Sequence, residues 1–297
     1  MYYICIDIGG TSIKYAILNK EGEIFVGGTI PTRVTSNGNH ILKDIKKLTG
    51  DLIEQYRNYK VKGICVSSAG VVDPDKGEII FSGPTIPGYK GTKIKKEIEK
   101  IFNIPCEVEN DVNCAALGEY WKGAGKGAES MVCMTIGTGI GGAIILNGKL
   151  LNGTGYTAGE IGYMEINGEH IQNIASARSL VETVQEKKEG KGVAGLTGLG
   201  IFELAKQGDK DCIEAIDTVI TNLSIGIRNI IYLLNPKIIV IGGGIAEQKE
   251  YLEERIRREV DRGLIGDIFK KTVIKMAQKG NHAGMLGALY GFLNKHR

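Results

Sequence analysis

The sequence predicts an α/β protein built from two related domains, and two patterns carry that prediction. Apolar segments of strand length alternate with amphipathic helical segments, which is typical of a largely parallel sheet covered by helices. A pattern of strand, glycine loop, strand, turn and strand occurs twice, as DIGGTSIKYAILNKEGEIF and as TIGTGIGGAIILNGKLL. The repeat predicts a duplicated core in which each domain directs one glycine loop at a shared cleft; unrelated glycine hairpins are the alternative.

The elements of the first copy follow from apolar periodicity. Strands are predicted at residues 2–8, 12–18, 23–27, 61–67 and 105–109. Apolar residues recur at helical spacing across residues 39–58, and again at Ile94, Ile98 and Ile101, so two amphipathic helices are predicted. Strands and helices therefore alternate through this part of the chain.

The second copy is predicted in the same way. Strands are expected at residues 130–136, 142–147, 149–151 and 237–241, with a tight turn at Asn147-Gly148. Apolar residues at helical spacing over 213–234 predict a long helix that Pro236 ends, and AGMLGALYGFLNKHR predicts a final helix. The Gly- and Lys-rich segment 186–200 predicts an exposed loop.

Composition narrows the class of protein. The 297 residues are 42% hydrophobic and 24% charged, which is ordinary for a globular protein and excludes global disorder. A formal net charge of +3 gives no strongly basic surface, so we expect neither a nucleic acid nor a membrane as a partner. The six cysteines form no C-x-x-C pair, and no leader or membrane-length apolar run is visible, which predicts a cytoplasmic protein.

Glycine clusters follow three of the apolar strands, as Gly9-Gly10-Thr11, Gly137-Thr138-Gly139 and Gly242-Gly243-Gly244. Glycine lets backbone N–H groups approach phosphate oxygens closely, and the hydroxyls of Thr11 and Thr138 and the ammonium of Lys14 would add donors. None of the clusters fits the P-loop or the dinucleotide-binding fingerprint. Three clusters, two of them in matching hairpins, indicate a bound nucleotide; three unrelated tight turns are the alternative.

Two further segments are candidates for substrate chemistry. Asn110-Asp111 follows a predicted strand and precedes a helix, where ligands of α/β sheets bind, so Asp111 is a candidate general base. The alternative is that these residues only cap the helix, although one residue can do both. Glu160, which lies between two glycines, would hydrogen-bond a polyol or remain a solvated loop residue.

Taken together, these segments resemble the ROK family of bacterial sugar kinases and repressors, within the actin-like/hexokinase ATPase fold. The matching segments are Asp7-Ile-Gly-Gly-Thr11 with Lys14, Ser68-Ala-Gly-Val-Val-Asp73, Pro87-Gly-Tyr89, Glu109-Asn-Asp-Val-Asn113, Gly137-Thr-Gly-Ile-Gly-Gly142, Gly159-Glu-Ile-Gly162 and Gly242-Gly-Gly244. The resemblance implies two domains with an interdomain cleft: a small lobe of residues 1–117 plus 285–297, and a large lobe of residues 118–284.

The resemblance also implies an activity, the transfer of the γ-phosphoryl group of MgATP to the 6-hydroxyl of a hexose or N-acetylhexosamine. Asp111 would be the catalytic base, and the sugar would contact Gly70, Asn110, Glu160, Tyr163 and Gln172. The nucleotide would contact Gly9, Gly10, Thr11, Lys14, Gly137, Thr138, Gly139, Gly243 and Gly244, with Asp7 as a partner of hydrated Mg²⁺. ATP and Mg²⁺ are therefore the expected cofactors, and a homodimer is the expected assembly.

Departures from the family pattern bear on metal and sugar. Many members follow a G-E-x-G-H motif with a Cys-rich zinc segment, but here Tyr163 stands at the His position and EINGEHIQNIASARSLV has no cysteine. We therefore predict no zinc site. Gln172 stands where a sugar-binding Glu is usual, so Tyr163 and Gln172 would give a different sugar specificity. Thr85 and Tyr89 replace the usual Asn and Trp of a neighbouring segment.

The pattern without zinc resembles that of some N-acetylmannosamine kinases and β-glucoside kinases. N-acetylmannosamine is the predicted substrate, with glucose or a β-glucoside as the alternative. A DNA-binding repressor is disfavoured because the first glycine loop begins at Gly9, which leaves no room for a preceding helix-turn-helix. A non-catalytic sugar sensor is a more distant alternative, against which Asp111 and the three glycine clusters argue.

Overall fold

The structure, a computed structural model, describes residues 1–188 and 195–296. Its strands are β1 Tyr2–Ile8, β2 Ser12–Asn19, β3 Ile24–Pro31, β4 Val34–Thr35, β5 Gly38–Asn39, β6 Val61–Ser68, β7 Val71–Asp73, β8 Glu78–Phe81, β9 Cys106–Asn110, β10 Ser130–Ile136, β11 Ile140–Leu146, β12 Lys149–Leu150, β13 Glu165–Ile166, β14 Glu169–His170, β15 Ile238–Gly242 and β16 Val273–Met276. Its α-helices are α1 Ile41–Gln55, α2 Ile94–Phe102, α3 Asp111–Lys122, α4 Ile171–Ala175, α5 Ala177–Lys187, α6 Gly198–Lys206, α7 Lys210–Leu234, α8 Lys249–Gly263 and α9 Ala283–Lys295.

The chain divides into two units. The first unit holds Met1–Lys126, Asn152–Thr157 and the residues from Asn281 onward, and the second unit holds Gly127–Leu151 and Ala158–Gly280. The lobe boundaries at residues 117 and 285 stay a prediction of the sequence.

The first unit is built on one mixed sheet with strand order β3-β2-β1-β6-β9. β1, β2 and β3 form an antiparallel meander, while β6 and β9 run parallel to β1. Side chains alternate between the two faces of each strand. Ile4 and Ile6 pack with α1 and α2 on one face, and Cys5 packs with α3 and α9 on the other. Each face of the sheet is therefore covered by a pair of helices.

The second unit repeats this sheet. Its strand order is β12-β11-β10-β15-β16, with an antiparallel meander first and two parallel strands after it. The apolar face of α7, including Ile216, Ile220 and Ile227, lies in the core of this unit. The same order and direction of strands in both units confirm the duplicated core predicted from the sequence.

Close packing of α3 against α9 fixes the helix that begins at Asp111. Gly118 lies so near α9 that a Cβ atom there would be 2.2 Å from the carbonyl oxygen of Ala283. Gly287 of α9 comes as close to the backbone of Cys114. Because small residues let the two backbones approach, α3 is held along its length against the sheet.

The sequence and the structure differ mainly between α5 and α8. The segment 186–200 was predicted as a loop, but α5 continues to Lys187 and α6 begins at Gly198, while residues 189–194 lie outside the described residues. The charged helix α8 and the edge strand β16 have no counterpart in the sequence prediction. Their polar faces weaken the periodicity on which that prediction depends. Within the described ranges, no helix is both long and apolar enough to span a bilayer.

Candidate functional site

In the first unit, the carboxyl ends of β1, β6 and β9 lie side by side because these strands run parallel. Asp7 is in register with Ser67, and Ser68 is in register with Asn110. Ligands of α/β sheets bind beyond this edge. The structure therefore brings Asp7, Asn110 and Asp111 to one edge. It adds Ser67, which sequence reasoning missed, and Ser68, which the sequence analysis named only as part of a family segment.

Asn110 is the N-cap of α3. Its Oδ1 accepts hydrogen bonds from the backbone N–H groups of Val112 (2.9 Å) and Asn113 (3.0 Å). Its Nδ2 donates to the carbonyl oxygen of Gly70 (2.9 Å) and to Oδ1 of Asp111 (2.9 Å). Capping and orientation of Asp111 are therefore done by the same side chain, and the two interpretations of this segment are compatible.

The environment of Asp111 suits proton transfer near neutral pH. Burial and, second, the negative charge of Asp7 raise the pKa of this carboxyl to about 7, against hydrogen bonds from Val112 and Asn110 that lower it. A carboxylate with a pKa near the working pH is an effective general base.

Asp7 is held from several sides. The hydroxyl of Ser67 donates to its Oδ1 at 2.6 Å. On α9, Gly284 leaves room for the carboxyl, because a Cβ atom there would lie 2.8 Å from Oδ1. Burial raises the pKa of Asp7, while Ser67 and the charge of Lys14 oppose that rise. The Nζ of Lys14 donates to Oδ1 of Asn281 at 2.7 Å, so the ammonium is already anchored.

The first glycine loop joins β1 to β2. The N–H of Gly9 donates to the carbonyl oxygen of Ser12 at 3.0 Å, which closes the turn. Thr32 holds the loop through two bonds, from its hydroxyl to the carbonyl oxygen of Gly9 (2.7 Å) and from its N–H to that of Thr11 (3.0 Å). A Cβ atom at Gly10 would meet nothing within 4 Å, so its backbone is open to a ligand.

The matching loop of the second unit is Gly137–Thr138–Gly139, between β10 and β11. The N–H of Gly137 donates to the carbonyl oxygen of Gly139, and the N–H of Ala177 donates to that of Gly137, each at 2.9 Å. The start of α5 therefore supports this loop. A Cβ atom at Gly139 would lie 3.0 Å from Oε1 of Gln172, so the amide of Gln172 is beside the glycine loop.

The other sugar candidates of the second unit differ in setting. Partial burial raises the pKa of Glu160, which precedes a short 3-10 helix, Ile161–Tyr163. The same Gln172 oxygen would lie 3.3 Å from a Cβ atom at Gly162. Tyr163 is 56% exposed, and its ring stands edge-on to that of His170 at 5.6 Å. Gln172 thus contacts the glycine-loop region, whereas Tyr163 is paired with a histidine.

Gly243 follows β15 with a φ of +83°, a conformation that favours glycine. A Cβ atom there would lie 2.4 Å from the carbonyl oxygen of Ile136, so a larger residue would push the loop off β10. Beside this loop lies a cavity of about 280 Å³. Its lining residues are Ala177, Leu180, Gly198, Leu199, Phe202, Gly244, Ile245, Glu247 and Gln248. The largely apolar walls suit a flat ring, and sequence reasoning missed Leu199 and Phe202 because it predicted a loop where α6 begins.

Side chains that could bind a metal are not clustered in the part of the chain that the structure describes. Across residues 1–188 and 195–296, no group of three or more His, Cys, Asp or Glu side chains could hold a metal ion. The absence of zinc nonetheless stays a prediction. The family resemblance assigns Asp7 to Mg²⁺ that enters as part of MgATP.

A family comparison decides the affiliation of the chain. The model of the ROK family matches residues 3–295. The chain belongs to the ROK family. An uncharacterized protein of Clostridium perfringens is 46% identical over 98% of this chain and 97% of its own. A β-glucoside kinase of Listeria innocua is 33% identical over 98% of both chains.

Solved structures of ROK proteins are similar over nearly the whole chain. A ROK glucokinase from Streptomyces griseus, in complex with glucose and AMPPNP, is 28% identical with a TM-score of 0.83, over 97% of this chain and 98% of that one. A proposed N-acetylmannosamine kinase from Listeria monocytogenes is 31% identical with a TM-score of 0.86, over 100% of both chains. The actin-like ATPase fold predicted from the sequence is confirmed.

Proposed function

We propose that this ROK protein is a sugar kinase that transfers the γ-phosphoryl group of MgATP to the 6-hydroxyl of N-acetylmannosamine. The observation that carries the proposal is the arrangement at Asp111: a partly buried carboxylate at the start of α3, oriented by Asn110, with a pKa of about 7. Sugar kinases need a base within reach of the acceptor hydroxyl and a cradle for the phosphates. Glycine loops in both units supply candidate cradles.

Asp111 acts on the acceptor hydroxyl. Its Oδ1 accepts from Asn110 Nδ2 (2.9 Å) and from the N–H of Val112 (3.0 Å), so Oδ2 is the oxygen we assign to the sugar. The proton of the 6-hydroxyl moves to Oδ2 as the sugar oxygen forms its bond to the γ-phosphorus. The bond from that phosphorus to the β,γ-bridging oxygen breaks, and ADP leaves with the electron pair.

Backbone N–H groups would hold the phosphates of ATP, and apolar side chains would hold its adenine ring. N–H groups at Gly10 and Gly139, with the hydroxyls of Thr11 and Thr138, are suited to phosphate oxygens, whereas the N–H of Gly9 is used to close the turn. Mg²⁺ enters with ATP, and the carboxylate of Asp7 would accept hydrogen bonds from its water shell. The cavity beside Gly244 has the size and apolar walls for the adenine ring.

The choice of sugar rests on the positions where this chain departs from its family. Tyr163 and Gln172 would hydrogen-bond the sugar through a phenol and an amide in place of the usual His and Glu, which would give a different sugar specificity. The name of the Listeria monocytogenes structure supports N-acetylmannosamine. A β-glucoside is the second candidate, because a curated relative with 33% identity is a β-glucoside kinase, and glucose is the third.

A substrate panel tests the proposal. Purified protein is mixed with MgATP and N-acetylmannosamine, N-acetylglucosamine, glucose or a β-glucoside such as cellobiose, and ADP release and product mass are followed. The expected result is the highest kcat/KM with N-acetylmannosamine, and no product from its 6-deoxy analogue. Phosphorylation of the 6-deoxy analogue would disprove the position. No product from any sugar would disprove the kinase.

The proposal extends to compartment and assembly. The structure has six free, buried cysteines, which suit a reducing compartment, so we place the protein in the cytoplasm. A homodimer is proposed from the family resemblance. Light scattering of the purified chain tests it, with twice the monomer mass of 32.1 kDa expected.

A further inference from the structure

Two adjacent serines at the end of β6 contact different partners. Ser67 and Ser68 are both fully buried. Consecutive residues of a strand face opposite sides of the sheet, so the two hydroxyls lie in different layers of the first unit. Neither residue belongs to the charged groups assigned to the reaction. Ser67 nevertheless bonds to Asp7, at the same strand edge as Asp111, and Ser68 bonds to Tyr89, whose pKa is raised by the charge of Asp111.

Ser67 lies on the face that α3 and α9 cover. Its hydroxyl donates to Oδ1 of Asp7 at 2.6 Å, and the thiol of Cys114 on α3 is in hydrogen-bond contact with the same hydroxyl. Gly284 packs on the carboxyl of Asp7 from α9. The hydroxyl of Ser67 therefore fixes the side-chain rotamer of Asp7, and α9 packs against the same carboxyl group.

Ser68 lies on the opposite face. Its Oγ is 2.7 Å from the hydroxyl of Tyr89, and the Tyr89 side chain is fully buried. Burial raises the pKa of Tyr89, and so does the charge of Asp111, which puts the phenol within electrostatic reach of the base. Ser68 is also in register with Asn110. The hydroxyls of Ser68 and Tyr89 therefore lie near Asn110 and Asp111, the residues assigned to the sugar.

Tyr89 in turn anchors the loop of residues 82–91. The hydroxyl of Thr92 donates to the carbonyl oxygen of Tyr89 at 2.6 Å, and Nδ2 of Asn39 donates to that of Pro87 at 2.9 Å. Ile86 is buried in the same core as Tyr89. Tyr89 is therefore one of the attachments of this loop, together with Asn39 and Ile86, and Ser68 is the hydrogen-bond partner of its phenol.

We propose that Ser67 and Ser68 are positioning residues that serve different substrates. Ser67 fixes Asp7 for MgATP, and Ser68, through Tyr89, fixes loop 82–91 and the Asn110–Asp111 end for the sugar. This inference rests on the proposed kinase function. It assigns to one dipeptide of β6 the separate alignment of donor and acceptor.

The strengths of the two bonds set the expected effects. The bond from Ser67 ends on a carboxylate, and hydrogen bonds to charged groups contribute more than neutral ones. Ser67→Ala is expected to raise the KM for MgATP about tenfold, with the KM for the sugar within about twofold. Ser68→Ala and Tyr89→Phe, which remove a neutral bond, are expected to raise the KM for the sugar about three- to tenfold with little change for MgATP.

The experiment measures both KM values and kcat for each variant, on the sugar that wild type phosphorylates fastest, and calorimetric binding of MgATP without sugar. Ser67→Cys keeps the volume with a weaker donor and is the second variant if Ser67→Ala does not fold. Thr49→Val is the matched control, because the hydroxyl of Thr49 is buried and has no hydrogen-bond partner among the residues that the structure describes. It is expected to leave both KM values unchanged.

A split between the two substrates supports the proposal. The proposal is overturned if Ser67→Ala and Ser68→Ala change the same KM, if they lower kcat alike with both KM values unchanged, or if they match Thr49→Val. A wild type that phosphorylates no sugar disproves the kinase function itself, and that outcome is separate from a wild type that is active without the split.

Discussion

The two sheets share one topology but carry different chemistry at the same positions. In the first unit, the register pair just before the glycine turn is Asp7 and Ser67. In the second unit, the corresponding pair on β10 and β15 is Thr135 and Gly242. A carboxylate and its hydrogen-bond donor in one unit are thus replaced by a hydroxyl and a bare backbone in the other. The duplicated fold therefore has two sheets with the same strand order and different residues at corresponding positions.

The fourth strand of each sheet extends the comparison. β6 is followed by Gly70 at a φ of +94°, and β15 is followed by Gly243 at +83°. Gly70 presents its carbonyl oxygen to Asn110, which caps the helix of the base. Gly243 leads into the cavity beside Gly244 instead. A glycine with a positive φ thus bonds to a side chain in one unit, at Gly70, and leads to a cavity in the other, at Gly243.

The largest effect after loss of the base is expected at Gly243. Gly243→Ala places a Cβ atom 2.4 Å from the carbonyl oxygen of Ile136 and strains a left-handed backbone. The KM for MgATP is expected to rise about tenfold or more, since misplacing a binding loop weakens its contacts with the ligand. The KM for the sugar should change far less, because Gly243 is assigned to the nucleotide in the proposed function. Steady-state kinetics with each substrate varied in turn measures both.

Gly266→Ala is the control for that change. Its backbone is extended, and a Cβ atom there would meet nothing within 4 Å. It should leave both KM values as in wild type. A Gly243→Ala protein with unchanged affinity for MgATP would contradict the assignment of this loop to the nucleotide.

The pH dependence of kcat/KM for the sugar is the next effect in size. The pKa of Asp111 is about 7, and a base acts only when ionised. Activity should therefore rise with pH and level off above 7, and fall about tenfold for each unit below that value. Asp7 and Asp111 interact, so the measured value belongs to the pair. A profile that is flat down to pH 5 would remove Asp111 from the role of base.

The sequence predicted what local signals encode. Apolar strands followed by glycine predicted both hairpins, and Asn110-Asp111 after a strand predicted a polar group at the sheet edge. The bond from Ser67 to Asp7 joins residues 60 positions apart, and only the register of β1 against β6 creates it. In the sequence, Tyr89 was noted only as part of a family segment in which it replaces the usual Trp. The phenol acquires its role from a partner that the sequence does not place beside it.

The nucleotide side shows a different limit. Gly243 stood out because glycine clusters are conspicuous. The wall formed by Leu199 and Phe202 did not, because the glycines around them predict a loop. Tertiary packing overrides that local preference, and Phe202 is buried in the core of the second unit. The residues that line this cavity can therefore be identified only when the positions of the helices are known.

The pH dependence of the free energy of unfolding separates the energetic cost of burying the Asp111 carboxylate from the role of Asp111 in catalysis. The folded-state pKa of about 7 is above the ordinary 3.8, so the folded protein binds the extra proton between these values. Wild-type stability therefore falls as pH rises from about 4 to 7 and is then constant for this group. The rise in pKa is about three units, so Asp111→Asn, which cannot ionise, should be more stable than wild type by up to about 4 kcal/mol at pH 8.

Urea unfolding of both proteins at pH 5 and pH 8 measures that difference. The gap between Asp111→Asn and wild type should be small at pH 5 and larger at pH 8. Asp51→Asn, an exposed change on α1, should show no such dependence. An equal gap at both pH values would contradict the burial argument for Asp111.

The most direct test of the account is the turnover of Asp111→Asn with saturating MgATP and the preferred sugar at pH 8. We expect kcat to be lower than wild type by about a thousandfold, as loss of a general base predicts, with calorimetric binding of MgATP and sugar retained. A variant that binds both substrates and turns over at a rate near wild type would contradict the account.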